Sequence, residues 1–142
     1  MNPSILFFTE GIKFSLKNNT ELCRWIIVST RKEGFVIDEL NYIFCSDDYL
    51  LSLNQRFLSH DEYTDIITFD HSFNKKQISA EIFISIKRVK ENAKTFKTTF
   101  QNELHRVMIH GVLHLTGYKD KTKKQQQAIR KKEDYYLRKL QP

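Results

Sequence analysis

The chain has 142 residues, 40% of them hydrophobic and 13% aromatic, which suits one globular domain spanning residues 1–142. No run of about 18 apolar residues exists to span a membrane, and MNPSILFFTEG lacks a basic stretch and a small-residue cleavage site. A soluble, cytoplasmic protein is therefore expected, and a net charge of +6 tilts the choice of partner toward a polyanion.

Strand and helix signals alternate along the chain without a linker or repeat. After a first apolar run at Ile5 to Phe8, Ile12, Phe14 and Leu16 alternate with Lys13, Ser15 and Lys17, which predicts two short N-terminal strands. Asn18, Asn19 and Thr20 offer helix caps, and Leu22, Trp25 and Ile26 recur at helical spacing until Gly34. Leu40, Tyr42 and Phe44 then alternate as a strand, after which Ser46 or Asp47 can cap a short helix through Leu53 and beyond. IITF at 66–69 is β-branched and aromatic, and Ile78, Ala80, Ile82, Ile84 and Ile86 alternate cleanly, so these are the expected central strands. A polar helix from about Lys87 to Phe96, a buried helix from about Phe100 to Thr116 and a basic helix from about Thr122 to Leu140 complete the chain. The predicted fold class is α+β, a small mixed β-sheet of about four strands packed with about five helices. Cys23 and Cys45 lie among apolar residues without CxxC spacing, as free thiols in a reducing compartment do.

The buried helix carries HGVLHLTGYKD, with His110 and His114 four residues apart and so one turn above the other on one face. Two neutral imidazoles at that spacing can grip a single ion. Gly111 costs about 1 kcal/mol relative to alanine inside a helix, which predicts that another group approaches the backbone there. Gly117 permits the left-handed turn that ends the helix, and the returning chain can bring Asp120 round as a third ligand in the pattern H-x3-H-x5-D. Core histidines satisfied by backbone carbonyls are the competing reading of the pair. A zinc peptidase of the H-E-x-x-H type would need a glutamate where this chain has Gly111, which argues against peptidase action.

HGVLHLTGYKD resembles the H-G-x-L-H-L-x-G-Y-D-H signature of the YbeY family of ribosomal RNA maturation endoribonucleases, at every fixed position up to Tyr118. Upstream, LNQRFLSHDEYTDIITFD is similar to the family's L-N-x-x-Y-R-x-x-D-x-P-T-D-V-L-S-F segment, keeping Leu53, Asn54, Asp61, Thr64, Asp65 and Phe69. SAEIFIS is similar to the G-D-I segment, so the resemblance covers about half the chain in order. It implies a small mixed sheet with helices, one zinc ion per chain, and hydrolytic cleavage of single-stranded RNA. The implied setting is maturation of the small-subunit ribosomal RNA 3′ end and ribosome quality control, with ribosomal RNA and the small ribosomal subunit as partners.

Two departures qualify what carries over. The family's third histidine falls on Asp120, a carboxylate that suits zinc but shifts preference toward harder ions, so manganese and nickel are alternatives. The family's arginine falls on Leu58, and Arg56 and His60, two residues to either side, are the candidates for its catalytic role. Thr64 and Asp65 are candidates for a strand-entry turn or a brace behind the site, and Glu103, two turns before His110, for orienting a ligand or simply ending the helix in solvent. On the basic tail, T-K-K-Q at Thr122 fits a capping box, and Ile129, Tyr136 and Leu140 share a docking face. Lys119, Lys123, Lys124, Arg130 and Lys131 are left for RNA phosphates. A ribosome- or RNA-binding assembly factor with a structural metal is the alternative from another class.

Overall fold

Alternation of apolar residues decides which way each strand faces, and the computed structural model, which describes residues 2–140, shows how the helices answer it. The elements are β1 (Ser4–Glu10), α1 (Asn19–Lys32), β2 (Val36–Cys45), α2 (Asp47–Leu58), β3 (Ile66–Asp70), β4 (Gln77–Ser85), α3 (Ile86–Thr95), α4 (Phe100–Leu115) and α5 (Lys123–Leu140). The sheet order is β1-β2-β4-β3. β1, β2 and β4 run parallel, whereas β3 pairs antiparallel with β4, placing Ile66 opposite Ile84 and Thr68 opposite Ile82. The expected α+β class, four-stranded mixed sheet and five helices are all present.

Leu40, Tyr42 and Phe44 of β2 and Ile78, Ala80, Ile82 and Ile84 of β4 project to one side and are buried against α1, α4 and α5. Cys45, Ile67 and Phe83 project to the other side and meet Leu50 and Leu53 of α2. Helix α4 is the central element of the larger layer: Leu104, Met108 and Ile109 are fully buried, and the Tyr42 hydroxyl donates to the Met108 carbonyl across 3.0 Å. The backbone approach expected at Gly111 comes from the sheet. A Cβ there would lie 3.0 Å from methyl carbons of both Ile66 and Ile82. Gly111→Ala is therefore expected to lower stability by about 1 kcal/mol, because overpacking against fully buried Ile82 outweighs the gain in helix propensity. Urea denaturation checks this through the transition midpoint.

Three expectations differ from what forms. Residues 12–16 join no strand ladder among the described residues. Their alternation is real, since Phe14 packs edge-on against Phe44 and Phe100, but the segment only carries the chain from β1 across to α1. Asn18 is the N-cap of α1 without a side-chain cap bond, because its left-handed backbone (φ 61°) aims the side chain away from the first-turn amides. Ile86 continues the β4 alternation yet begins α3, since the Ser85 hydroxyl caps the Arg88 amide and turns the chain into helix. Elsewhere the capping expectations hold. Ser46 caps α2 at the Tyr49 amide, and Thr122 and Gln125 bond each other's backbone amides reciprocally at the start of α5. Among the described residues no helix is long and apolar enough to cross a membrane.

Candidate metal centre and catalytic cavity

Helix α4 ends where Gly117 takes φ +110°, so that its amide bonds the His114 carbonyl and the Tyr118 amide bonds the Leu113 carbonyl, each at 3.1 Å. This paired closure, a Schellman motif, folds the chain back along the helix and puts the Tyr118 carbonyl 2.9 Å from His114 Nδ1. A carbonyl can only accept, so Nδ1 carries the proton and Nε2 of His114 presents a lone pair. On the adjacent turn, His110 Nδ1 lies 2.5 Å from a carboxylate oxygen of Glu133, which orients its Nε2 in the same way. The two Nε2 atoms are 2.9 Å apart, and Asp120 Oδ2 lies 3.2 Å from His114 Nε2 and 3.6 Å from His110 Nε2.

Three electron-pair donors thus face one another at a point where a cation relieves their repulsion. Ligands about 2.0–2.1 Å from a tetrahedral zinc stand roughly 3.3 Å apart, so the donor types and spacings of His110, His114 and Asp120 fit a divalent ion. The Asp120 side chain is the most open of the three at 45% exposure, and its backbone carbonyl accepts from Gln126 Nε2, which ties the loop to α5.

Carboxylates surround the histidines. Glu133 is buried, and its second oxygen accepts from Arg106 at 2.9 Å, while the other arm of that guanidinium reaches Asp134 at 2.7 Å. Burial alone would lower the His110 pKa, but the hydrogen bond and charge of Glu133, with Asp65 and Asp120 beyond it, raise it above the ordinary value. Asp65 has its own pKa raised, chiefly by burial, and its carboxylate accepts from Asn92 at 3.2 Å. Glu103 is buried too, not a solvated helix end, and burial lifts its pKa; with Asp65, Arg106, His110 and Glu133 it lines a cavity of about 360 Å³. On the other side His110, His114 and Asp120 open into a second cavity of about 720 Å³, walled by β3 and the loop after α2.

Residues 6–141 match the family described as Endoribonuclease YbeY. The chain belongs to the YbeY family. A relative named Endoribonuclease YbeY from Cytophaga hutchinsonii is 54% identical over 134 residues, which cover 94% of each chain. One of the same name from Karelsulcia muelleri is 50% identical over 125 residues, 88% of each. The solution structure of TM1509 from Thermotoga maritima superposes with a TM-score of 0.66 at 31% identity, covering 96% of this chain and 88% of that one.

Where the YbeY pattern has its arginine, Leu58 lines the larger cavity and is 43% exposed. His60 lines the same cavity. Its position follows from Asn54, which accepts from the His60 amide at 3.2 Å and donates to the Glu62 carbonyl at 2.8 Å, gathering the loop around left-handed Ser59. Arg56 lines neither of these two cavities; it is exposed, its guanidinium 5.5 Å from the Phe57 ring centroid. Lys119 lines the larger cavity and Arg130 the smaller, while Lys123, Lys124 and Lys131 are exposed on α5 and line neither.

Sequence reasoning passed over Glu133 and Arg106. A usable signal was present. Glu133 falls between Ile129 and Tyr136 on the stripe that docks α5, and a carboxylate on a buried stripe needs a buried partner.

Proposed function

We propose that the chain is a metal-dependent endoribonuclease of ribosomal RNA maturation in which His110, His114 and Asp120 hold one divalent ion, zinc by preference. The observation that carries this is the convergence of three donor atoms, the imidazoles pre-oriented by Tyr118 and Glu133, at the wall of an open cavity in a YbeY-family chain. When bound, the ion supplies Lewis acidity, polarising a phosphoryl oxygen and making a water-derived nucleophile available near neutral pH.

The protein's own share is positioning and charge. A cavity of about 720 Å³ open to solvent receives an unpaired strand more readily than a stiff duplex, and on its walls Lys119 provides positive charge and the His60 imidazole a hydrogen-bonding group for the phosphate that is cut. His60 takes the place of the family arginine, so His60→Ala is expected to lower single-turnover cleavage about 10-fold or more. His60→Arg should restore much of the rate, and Arg56→Ala should stay within about twofold of wild type, as rate constants on one RNA fragment would reveal. The carboxylate of Asp120 in place of a histidine makes manganese and nickel the alternative ions.

The finer setting follows the same reading: a single domain over residues 1–142, acting in the cytoplasm on the small-subunit ribosomal RNA 3′ end. Gly111, packed on Ile66 and Ile82, leaves no general base at the position where a zinc peptidase needs one. The test is cleavage of a single-stranded ribosomal RNA fragment, and of the small subunit, by metal-loaded and chelated protein with metal content measured on each. Cleavage confined to the loaded protein is expected. Stoichiometric metal with no cleavage of either substrate would overturn the nuclease reading in favour of an RNA-binding factor.

A further inference from the structure

We infer that the cavity between α1 and α5 is a second contact site for single-stranded RNA, taking a nucleobase against Trp25 and Tyr135 and phosphates on Arg24, Lys32 and Lys139. The inference rests on the nuclease reading for its ligand class, but none of the residues lining this cavity belongs to the metal-binding group. The cavity measures about 480 Å³, within the usual range of roughly 300–1,000 Å³ for small-ligand sites. Its floor is apolar. The Trp25 indole N–H is consumed by the Tyr136 carbonyl at 2.7 Å, which leaves the ring as wall, and Val28 at the rim is 57% exposed.

The rim is cationic. Lys132, Tyr135 and Lys139 recur at i, i+3 and i+7 on α5, and Lys32 reaches across from α1 to donate to the Tyr135 hydroxyl. The three ammonium groups stand 4.9, 6.0 and 5.3 Å from the Tyr135 ring centroid for Lys32, Lys132 and Lys139. Lys132 is paired with Glu33 at 3.3 Å, but among the described residues Arg24, Lys32 and Lys139 have no ion pair, and Glu21 is the one carboxylate lining the cavity. Arg24, Lys32 and Lys139 outnumber Glu21 in the cavity, so their like charges repel one another, and a phosphodiester strand relieves that repulsion while its bases stack on the ring. An apolar floor with a basic rim is the chemistry of base plus phosphate, which favours RNA over an acidic peptide. Glu33 links the two sites, since it accepts from Tyr118 of the metal-site loop at 2.9 Å and from Tyr136 of the cavity wall.

The test uses chelated full-length protein, a fluorescently labelled oligouridine and binding anisotropy. The Arg24→Glu/Lys139→Glu double variant is expected to raise Kd about 10-fold or more and to flatten the salt dependence of log Kd by about one to two contacts. Tyr135→Ala, which changes no formal charge, should raise Kd several-fold, roughly the loss of one stacked base. Lys87→Glu/Lys94→Glu, an equal reversal on exposed residues of α3, should have the smaller effect, with thermal melts establishing that each variant is folded. With metal restored, the cavity variants should raise KM for long RNA while leaving kcat unchanged. Binding by the double variant and by Tyr135→Ala at wild-type affinity overturns the site and leaves the cavity to a protein partner. Wild type that binds at this cavity but cleaves nothing when loaded would sink the nuclease reading and leave the second site standing.

Discussion

His114→Ala is expected to abolish RNA cleavage, by about a thousandfold or more, while leaving the metal-free protein close to wild-type stability. The substitution deletes the Nε2 donor that faces both His110 Nε2 at 2.9 Å and Asp120 Oδ2 at 3.2 Å, leaving two protein ligands for the ion. Without metal that cluster stabilises little, because two lone pairs and a carboxylate oppose one another; the lost bond to the Tyr118 carbonyl is worth about 1 kcal/mol. Metal changes the comparison. An ion at about 100 times its dissociation constant adds about 2.7 kcal/mol to the folded state, so loading should raise the wild-type Tm by several degrees and leave the variant's nearly unmoved. Equal upward shifts in both proteins would place the ion elsewhere.

Glu133→Ala should be the second severe change, and its signature differs. Glu133 does two things at once: it accepts from His110 Nδ1, fixing the tautomer that frees Nε2, and it neutralises Arg106 inside the protein. Removing it leaves a guanidinium that is 14% exposed with only half-exposed Asp134 as partner. Breaking such a pair costs about 3 kcal/mol, visible in urea denaturation of the metal-free protein. Loss of the brace on His110 should also weaken metal affinity by about 10- to 100-fold, measured by chelator competition. Glu133→Gln fills the same space but offers one acceptor oxygen to two donors and no charge to Arg106. Losses of affinity and stability smaller than those of the alanine variant are the expected result; unchanged affinity in both variants would show that His110 is oriented by other groups.

The parts of this site legible in the sequence are those that local geometry settles. The i, i+4 spacing puts both histidines on one face of any helix that forms, and Gly117 followed by Tyr118 closes that helix by bonds reaching only five residues back. Asp120 follows within the same turn. The β2 and β4 alternations and the Thr122 capping box held for the same reason, since each is decided by residues within one element. Reading failed where local pattern and tertiary demand diverge. Ile12, Phe14 and Leu16 satisfy strand periodicity, but β1 runs parallel to β2 and the chain must cross to α1, so the segment packs its side chains without joining a ladder.

The sequence by itself thus determined the fold class, the helix carrying the histidine pair and the turn that returns Asp120 to it, because short-range sterics and hydrogen bonds leave few alternatives there. Only the tertiary structure decided what stands behind and opposite that pair. Glu133 lies 23 residues from His110 and reaches it through the packing of α5 on α4, and Arg106 is recruited by the same contact. His60 faces the cavity because buried Asn54 ties the loop after α2, and the cationic rim around Tyr135 exists because Lys32 of α1 meets α5. Such contacts join residues whose separation along the chain carries no geometric information until the helices have packed on the sheet.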